Sequence, residues 1–543
     1  MKKFIVLTLF GLLIMAFSAT AYALEFKASG MIDFDTVLEE NTPYFFGTVS
    51  AVHGRTTGSI FQSWITPSFV TTGPNIGKVA GAFDKSAAYA YSRALLKFDA
   101  VVSKELSGTI FFEMDALRWG AGPGGFLTQA SERNTVGVWS TDRAAVEVKN
   151  IYIDAAVPGM PVPVKARVGA QPLSVRPRMV VYTDGVGVTG EIKADPVTIM
   201  PMWFKAFEGT DYASDDVDVY GLHLNAKVNT FTIGGYGLYY NMNSFPIIYP
   251  TGYSWGTVGS VSASTSASYG LYVAGTQKAD FWWLGVYADG KAGPVDLNFD
   301  FVYDTGKVKS PLTPTVDDVQ NSGWATRLRV DYPWEKFNFG VVGMYASGAD
   351  ARKTSKTGLP GEAVADPVNA TAASTRVRSY IVPPGSEAPP GANEAMVVYS
   401  SFNAVADGGT GIASTGNYYG VSRGAFGGTW FAKLYGSYKL TPWFKSTLQG
   451  LYIGDTTKNG NTFGTARQDP TSASSALKDD KSIGWEFDLI NEIDIYKNLK
   501  FFVGGGYLWA GKAMDVYNAY TTTPSNFSPN NPWVISTRLM YTF

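Results

Sequence analysis

Apolar and polar residues alternate along many short segments of this chain. From Leu24 to Asp35, mostly apolar side chains occupy one parity and mostly charged side chains the other. The segment from Val295 to Thr305 repeats the pattern, with aliphatic and aromatic residues alternating with Asp and Asn. Because side chains of a strand point alternately to opposite faces, a period of two predicts β-strands with one apolar and one polar face.

Six segments carry two aromatic residues eight positions apart on the apolar face. No charged residue lies on the same face between the two members. Eight residues of strand span about 27 Å, or about 20 Å along a membrane normal at a tilt of ~40°. This nearly matches the apolar band of about 25 Å between the aromatic girdles of transmembrane β-barrels. The pairs are Phe231/Tyr239, Trp324/Tyr332, Phe337/Tyr345, Trp430/Tyr438, Phe501/Trp509 and Trp533/Tyr541.

The pattern therefore predicts an all-β fold, a transmembrane antiparallel β-barrel of about 18 strands. Sixteen strands remain possible if two weaker segments within 164–194 are not strands. Connections alternate between short turns and long loops, as in barrels with tight periplasmic turns and long outer loops. The predicted strands are 24–35, 91–103, 107–119, 144–157, 164–172, 184–194, 197–208, 219–228, 231–241, 281–290, 295–305, 323–332, 337–347, 430–440, 443–454, 482–496, 499–509 and 533–543. The longest loops include 36–90, 242–280 and 348–429.

The first 23 residues have the features of a secretory signal peptide. A basic Met1–Lys3 precedes an apolar run from Phe4 to Phe17, and Ala21-Tyr22-Ala23 fits a small-x-small cleavage site. The apolar run is shorter than the roughly 20 residues that a membrane-spanning helix needs. We therefore expect a signal peptide at 1–23 and a mature barrel at 24–543.

The last strand carries the most specific signal. Aromatic and apolar residues alternate with others from Trp533 to the terminal Phe543. This segment resembles the C-terminal strand of Gram-negative outer-membrane proteins. The resemblance implies that Tyr541 and Phe543 belong to the signal that the barrel-assembly machinery recognises.

Composition narrows the function further. The chain has no Cys, so disulfides and thiolate metal sites are excluded. A net charge of −2 without charged blocks argues against a nucleic-acid partner. The two histidines, His53 and His223, lie in no catalytic motif, and the Gly-rich segment 120–125 lacks the Lys-Ser/Thr of a phosphate loop. We expect no enzyme activity, no metal and no cofactor; the acidic turn at 215–218 could bind Ca²⁺, but a solvated turn is the better interpretation.

A second resemblance comes from the segment Val164–Gln171, which is similar to the Arg-x-Gly-x-Gln strand of porins, where basic side chains line the constriction. Signal, first strand, this segment and last strand together resemble outer-membrane porins, in particular the homotrimeric porins of sulfate-reducing bacteria. The resemblance implies a homotrimer in the bacterial outer membrane, in contact with its lipid and lipopolysaccharide. In general porins the third outer loop folds inward, but here the third loop, 173–183, is expected to be too short to reach far.

Charged residues of inward parity supply candidate pore-lining groups. Lys165, Arg167 and Arg176 are expected to form a basic wall near the narrowest point, with Glu113 and Asp115 as candidates for the opposing acidic side. The remaining candidates are Arg178, Asp296, Asp300, Arg327 and Arg329. Rows of opposite charge would set up a transverse field in a hydrated lumen. The loop 348–429 folds over the mouth or into the lumen, or is a mobile surface loop.

These features predict an outer-membrane porin, a water-filled channel for passive diffusion of small hydrophilic solutes and ions. The alternative is a substrate-specific channel for a sugar or organic acid. A more remote alternative is a structural or adhesive barrel with a closed lumen.

Deletion of Phe543 tests the assembly signal. We expect the truncated protein to be secreted normally but to insert poorly, because the terminal aromatic is the residue that the resemblance assigns to recognition. Quantitative immunoblots of periplasmic and outer-membrane fractions would measure this, with Tyr541→Phe as the conservative control. Outer-membrane accumulation at the unaltered level would contradict the assignment.

Overall fold

The computed structural model describes residues 24–41, 86–119, 135–136, 146–177, 179–209, 211–245, 277–309, 318–352, 376–385, 394–399, 423–472, 475–518 and 524–543. The signal peptide expected at 1–23 lies outside these residues, as do His53 and the Gly-rich segment 120–125. Within the described part of the chain, no helix has both the length and the apolar character needed to cross a membrane.

A single sheet of twenty strands includes two two-residue strands, Thr135–Val136 and Arg376–Val377, and the other eighteen form the wall of a barrel. Each wall strand pairs antiparallel with its sequence neighbour. In chain order β1 to β18 are Glu25–Glu40, Ser86–Ser103, Leu106–Trp119, Glu147–Ala156, Val164–Val175, Val181–Ala194, Val197–Phe207, Val217–Val228, Phe231–Phe245, Gln277–Ala292, Val295–Lys309, Val319–Trp334, Phe337–Ala346, Thr429–Thr441, Phe444–Asp455, Ser482–Tyr496, Leu499–Ala510 and Trp533–Thr542.

The barrel closes where β1 pairs with β18, in register from Met31 opposite Thr542 to Glu40 opposite Trp533. Phe543 extends this seam, because its backbone exchanges two hydrogen bonds with Gly30, at 3.0 and 3.1 Å. Its ring lies where a side chain on residue 30 would be, so glycine makes room for the terminal aromatic. Closure leaves no unpaired strand edge, as a sheet in lipid requires.

The count of 18 strands is confirmed, and the alternative of 16 is wrong. The two weaker segments within 164–194 form β5 and β6. Several strands are longer than predicted, and β1 and β2 extend to Glu40 and from Ser86. The extension of β1, residues 36–40, pairs with Trp533–Thr537 of β18 and therefore lies within the aromatic levels, although Thr36 and Glu40 interrupt its apolar parity.

The outer surface is apolar, with aromatic rings at two levels. None of the predicted aromatic pairs has a buried member. Toward the loops, Tyr239 stacks on Trp282 with ring centroids 4.5 Å apart, and near the short turns Phe337 stacks on Tyr438 at 4.4 Å. Leu434 lies between the two levels and is 66% exposed. Such a band between girdles is the surface that faces lipid.

Cysteine substitution at Ala28 tests which face of β1 meets lipid. We expect a Cys at Ala28 or at Leu539 on β18 to react with a membrane-soluble maleimide and not with a charged one. A Cys at Ser29, the adjacent inward position, is the matched control and should show the opposite preference. Rapid reaction of both outward positions with the charged reagent would overturn the assignment.

Candidate functional site

Described parts of the long connection between β13 and β14 lie inside the barrel. We call residues 347–428 the inner loop; its described parts are 347–352, 376–385, 394–399 and 423–428. Tyr380, Ile381 and Tyr399 have no exposed surface, although they belong to a connection between strands. For the segments around Tyr380 and Tyr399, folding into the lumen is the correct alternative and a mobile surface loop is wrong.

Buried carboxylates on the wall hold the backbone of the inner loop. Asp304 on β11 accepts a hydrogen bond from the N–H of Ile381 at 3.2 Å. Glu486 on β16 accepts from the N–H groups of Val397 and Val398 at 2.5 and 3.0 Å. Irregular backbone has no neighbouring strand to pair with, so a buried N–H group needs such an acceptor.

A charge cluster anchors the loop through Glu394. Its carboxylate lies 2.7 Å from Arg327 on β12 and 2.7 Å from Lys433 on β14. Arg327 also donates to Asn298 at 2.6 Å. All three charged side chains are at most 6% exposed. Arg327, which we expected to line the pore, therefore lies beneath the inner loop rather than on the water-exposed wall.

The hairpin between β5 and β6 also enters the lumen. β5 pairs with β4 only as far as Ala170, and β6 pairs with β7 only from Val186. The residues between these points pair with each other but not with the wall, so the tip, residues 173–183, is free to bend inward. Leu173 and Val181 in this tip are buried.

Arg176 joins the hairpin tip to a part of the wall five strands further along the barrel. Its guanidinium donates to Asp289 on β10 at 2.6 and 3.1 Å and to Asp300 on β11. Its central carbon lies 4.2 Å above the ring of Tyr287. The expectation that 173–183 is too short to reach far is wrong, because the detached strand ends and the long Arg176 side chain together cross the lumen.

The hairpin tip also meets the inner loop. The hydroxyl of Tyr380 donates to the carbonyl of Met179, and both residues are buried. Two connections that are far apart in sequence thus form one constriction inside the barrel.

Two cavities adjoin this constriction. The larger, about 840 Å³, is bounded by Arg176 and by four further candidates on β11 and β12, namely Asp296, Asp300, Arg327 and Arg329. The smaller, about 550 Å³, is bounded by Lys165 and Arg167 together with Met202, Phe204 and His223. Seven of the predicted pore-lining residues, Arg327 among them, therefore border one of these two cavities.

The predicted basic wall is largely paired with carboxylates. Arg167 donates to both oxygens of Asp154, at 2.7 and 3.0 Å, and lies 4.0 Å above the ring of Tyr152. Lys165 is exposed and pairs in register with Glu191. Arg167 is therefore matched by an acid on a neighbouring strand, whereas Glu191 forms its ion pair with Lys193 at 3.2 Å.

The acidic candidates have partners of their own. Glu113 binds Arg93 and lies 2.7 Å from Lys149, which also lies 3.0 Å from Asp184. Arg178 and the side chain of Asp115 lie outside the described residues. Oppositely charged side chains thus form ion pairs along the wall itself, and not only across the lumen.

Sequence reasoning missed the anchoring residues. Asp304, Lys433 and Glu486 occupy inward parity on strands that were predicted correctly, so parity alone could have nominated them. Glu394 had no signal, because it lies in a loop without periodicity.

The carboxylates of the acidic turn before β8 pair with a lysine side chain of the protein. The Lys205 ammonium lies 3.2 Å from Glu208, 3.0 Å from Asp216 and 3.2 Å from Asp218. Burial opposes ionisation of Asp216, but hydrogen bonds from Lys205 and Gly209 hold the pKa of that carboxyl below its usual range. Among the residues that the structure describes, no group of three or more acidic or histidine side chains is arranged to hold a metal ion.

No protein-family model and no curated protein sequence matches the chain. Among solved structures, the chain is similar to Pseudomonas aeruginosa OccK8 (OprE), at 10% identity and a TM-score of 0.46 over 96% of this chain and 98% of that one. Pseudomonas aeruginosa OccK9 (OpdG) matches at 10% identity and 0.46 over 95% and 98%. Acinetobacter baumannii OccAB4 matches at 8% and 0.45 over 95% and 98%.

Glu394→Gln tests the anchor of the inner loop. We expect the free energy of unfolding to fall by about 3–5 kcal/mol, because two buried cations lose the negative charge that compensates them. Urea unfolding in detergent would measure the loss, and proteolysis within the inner loop should become faster.

Glu492→Gln is the matched control, since Glu492 pairs with the half-exposed Lys445. An exposed pair contributes about 0–1 kcal/mol, so this variant should unfold almost as the unaltered protein does. Equal stability of both variants would contradict the anchoring role of Glu394.

Proposed function

We propose that the protein is a porin of the bacterial outer membrane, a water-filled channel for passive diffusion of small hydrophilic solutes and ions. One observation carries this proposal: a closed barrel with an apolar, aromatic-ringed exterior encloses cavities bounded by charged side chains. Ionised groups are stable inside a membrane protein only when water or counter-charges solvate them. The interior is therefore a hydrated path between the two sides of the membrane.

The constriction limits the size of the solutes. The hairpin tip and the inner loop occupy part of the lumen, so a solute passes beside them. Arg167–Asp154 and Arg329–Asp331, whose side chains are 14–35% exposed, present both signs of charge to this path. Paired charges order water and favour polar over apolar solutes.

A substrate-specific channel for a sugar or organic acid is the second candidate. The observation in its favour is that the larger cavity, about 840 Å³, has the size of a small-molecule site, roughly 300–1,000 Å³. A structural or adhesive barrel is the alternative that an absence of conduction would favour.

Assembly completes the proposal. We propose that the barrel-assembly machinery recognises Tyr541 and Phe543 and that three copies associate, as the resemblance to homotrimeric porins implies. Gly235 and Gly237 leave part of the outward face of β9 without side chains, which would let a second barrel approach closely. Passage by diffusion requires neither catalysis nor a cofactor.

Planar-bilayer recording tests the function. We expect stepwise conductance from the purified protein and none from detergent alone or from heat-unfolded protein. Liposome swelling with sugars of graded mass separates the two candidates, because a general channel admits them in order of size. A single solute far out of that order favours the specific channel, and absence of any conductance contradicts both.

Arg167→Glu tests whether the basic wall faces the path. We expect a higher preference for cations, because the exchange places a negative charge beside Asp154 in the lumen. The effect should shrink at high salt, since the Debye length falls from ~10 Å at 0.1 M to ~3 Å at 1 M. Reversal potentials across a salt gradient would measure both.

Lys458→Glu is the control for Arg167→Glu, because it changes the charge equally on an exposed residue of the loop after β15. It should alter the reversal potential much less. An unchanged cation-to-anion ratio in the Arg167→Glu channel at low salt would remove Arg167 from the constriction.

A further inference from the structure

Two methionines of β7 have inward parity and border the smaller cavity. They are Met200 and Met202, and Pro201 between them is exposed on the outer surface. His223 of β8 borders the same cavity. We call Met200, Met202 and His223 the thioether site.

The register of the two strands brings these three side chains together. Met200 lies directly opposite His223, and Met202 lies opposite Gly221, two residues from His223. Directly opposed Cβ atoms are about 4.5–5.5 Å apart and diagonal neighbours about 7–8 Å apart. Met200 and Met202 are roughly 7 Å apart along β7. Two thioether sulfurs and one imidazole can therefore converge on a single point in the cavity.

Gly221 leaves room for one of the two sulfurs. A Cβ atom at residue 221 would lie 2.7 Å from Sδ of Met202 and 2.5 Å from its Cγ. The Met202 side chain therefore crosses from β7 to β8, and its sulfur lies over the backbone two residues along the strand from His223. Any side chain at residue 221 would exclude the sulfur from this place.

Neighbouring tyrosines hold the imidazole of His223. Its Nε2 lies 2.7 Å from the Tyr287 hydroxyl. The centroid of the imidazole lies 5.5 Å from that of Tyr287 and 6.4 Å from that of Tyr236. With the proton on Nε2 donated to Tyr287, Nδ1 keeps a lone pair for a metal, which is the orientation that hydrogen bonding gives to most ligating histidines.

Three carboxylates border the same cavity, and each has a cation as its partner. The pairs are Asp154–Arg167, Glu191–Lys193 and Glu105–Lys104, at 2.7, 3.2 and 3.5 Å. Hard cations such as Ca²⁺ and Mg²⁺ require several oxygen ligands. Because the carboxylates are engaged, the donors that this wall offers to a metal are the thioethers and the imidazole.

The charge of the donor set determines which metal fits it. Two thioethers and a neutral imidazole contribute no negative charge. The cost of taking an ion out of water rises steeply with its charge, so a neutral donor set favours a monovalent ion over a divalent one. Thioethers select soft ions, and imidazole is also a good ligand of copper.

We propose that the thioether site binds the soft monovalent ion Cu(I) through Sδ of Met200, Sδ of Met202 and Nδ1 of His223. Methionine is unbranched and polarisable, so its sulfur adjusts to the ion while the tyrosines hold the imidazole. The cavity adjoins the constriction, so an ion in the lumen can reach the three donors. The proposal rests on the geometry of the inner wall and not on conduction.

Metal titration of the detergent-solubilised full-length barrel tests the proposal. Ag(I) is the redox-stable probe for native mass spectrometry, and Cu(I) is titrated without oxygen against a chromogenic copper(I) chelator. We expect one tightly bound ion per barrel. The double variant Met200→Leu/Met202→Leu should weaken binding more than about 100-fold, because loss of an outer partner of a ligand alone costs roughly 10–100-fold.

Met160→Leu is the matched control, because it removes a half-exposed thioether from the turn between β4 and β5. Leucine has nearly the volume of methionine, so both proteins should keep the barrel. The control should bind both ions as the unaltered protein does. Unchanged binding in the double variant, or an equal loss in the control, overturns the proposal.

X-ray absorption of the unaltered protein with Cu(I) is a second measurement that needs no variant. We expect two sulfur neighbours and one nitrogen neighbour around the metal, and a first shell of nitrogen and oxygen alone overturns the proposal. A Zn²⁺ ion that displaces Cu(I) at equal concentration would mean a site for harder metals and would also overturn it. Conductance recorded on the same samples separates a failure of this proposal from a failure of the channel function.

Discussion

Every peptide N–H and C=O group inside a membrane needs a hydrogen-bond partner, and this constraint determines most of the structure. The wall satisfies it by closing β1 onto β18, so that each strand has two neighbours. The inner loop has no such neighbours, and it meets the constraint with side chains instead. Asp304 and Glu486 accept hydrogen bonds from its backbone, and they can do so because the alternation of the strands places them on the inward face.

The charges of the interior divide into two groups according to their exposure. Glu394, Arg327 and Lys433 are buried, and their mutual pairing determines where the inner loop lies. Arg167 and Arg329 are about one-third exposed, and they pair with Asp154 and Asp331. Burial therefore separates side chains that fix the inner loop from side chains that remain accessible inside the barrel, although both groups consist of the same residue types.

The wall could be predicted from sequence because its determinants are local. Alternation and paired aromatics predicted all eighteen strands, and parity correctly turned Asp300, Arg327 and Arg329 inward. The contents of the lumen could not be predicted in this way. Glu394 is 67 residues from Arg327, and Arg176 is 124 residues from Asp300. Neither contact leaves a local pattern in the sequence. Inward parity therefore could not show that Arg327 is buried, and the length of 173–183 could not show that this segment crosses the lumen.

The hairpin tip has a mechanical consequence. A ring of eighteen strands encloses a wide interior, and the hairpin tip reaches across it to the wall at β10 and β11. Arg176 holds the hairpin tip at a fixed distance from the wall, because its guanidinium bonds both Asp289 and Asp300. At this level the spacing across the barrel is therefore held by ionic contacts within the protein itself.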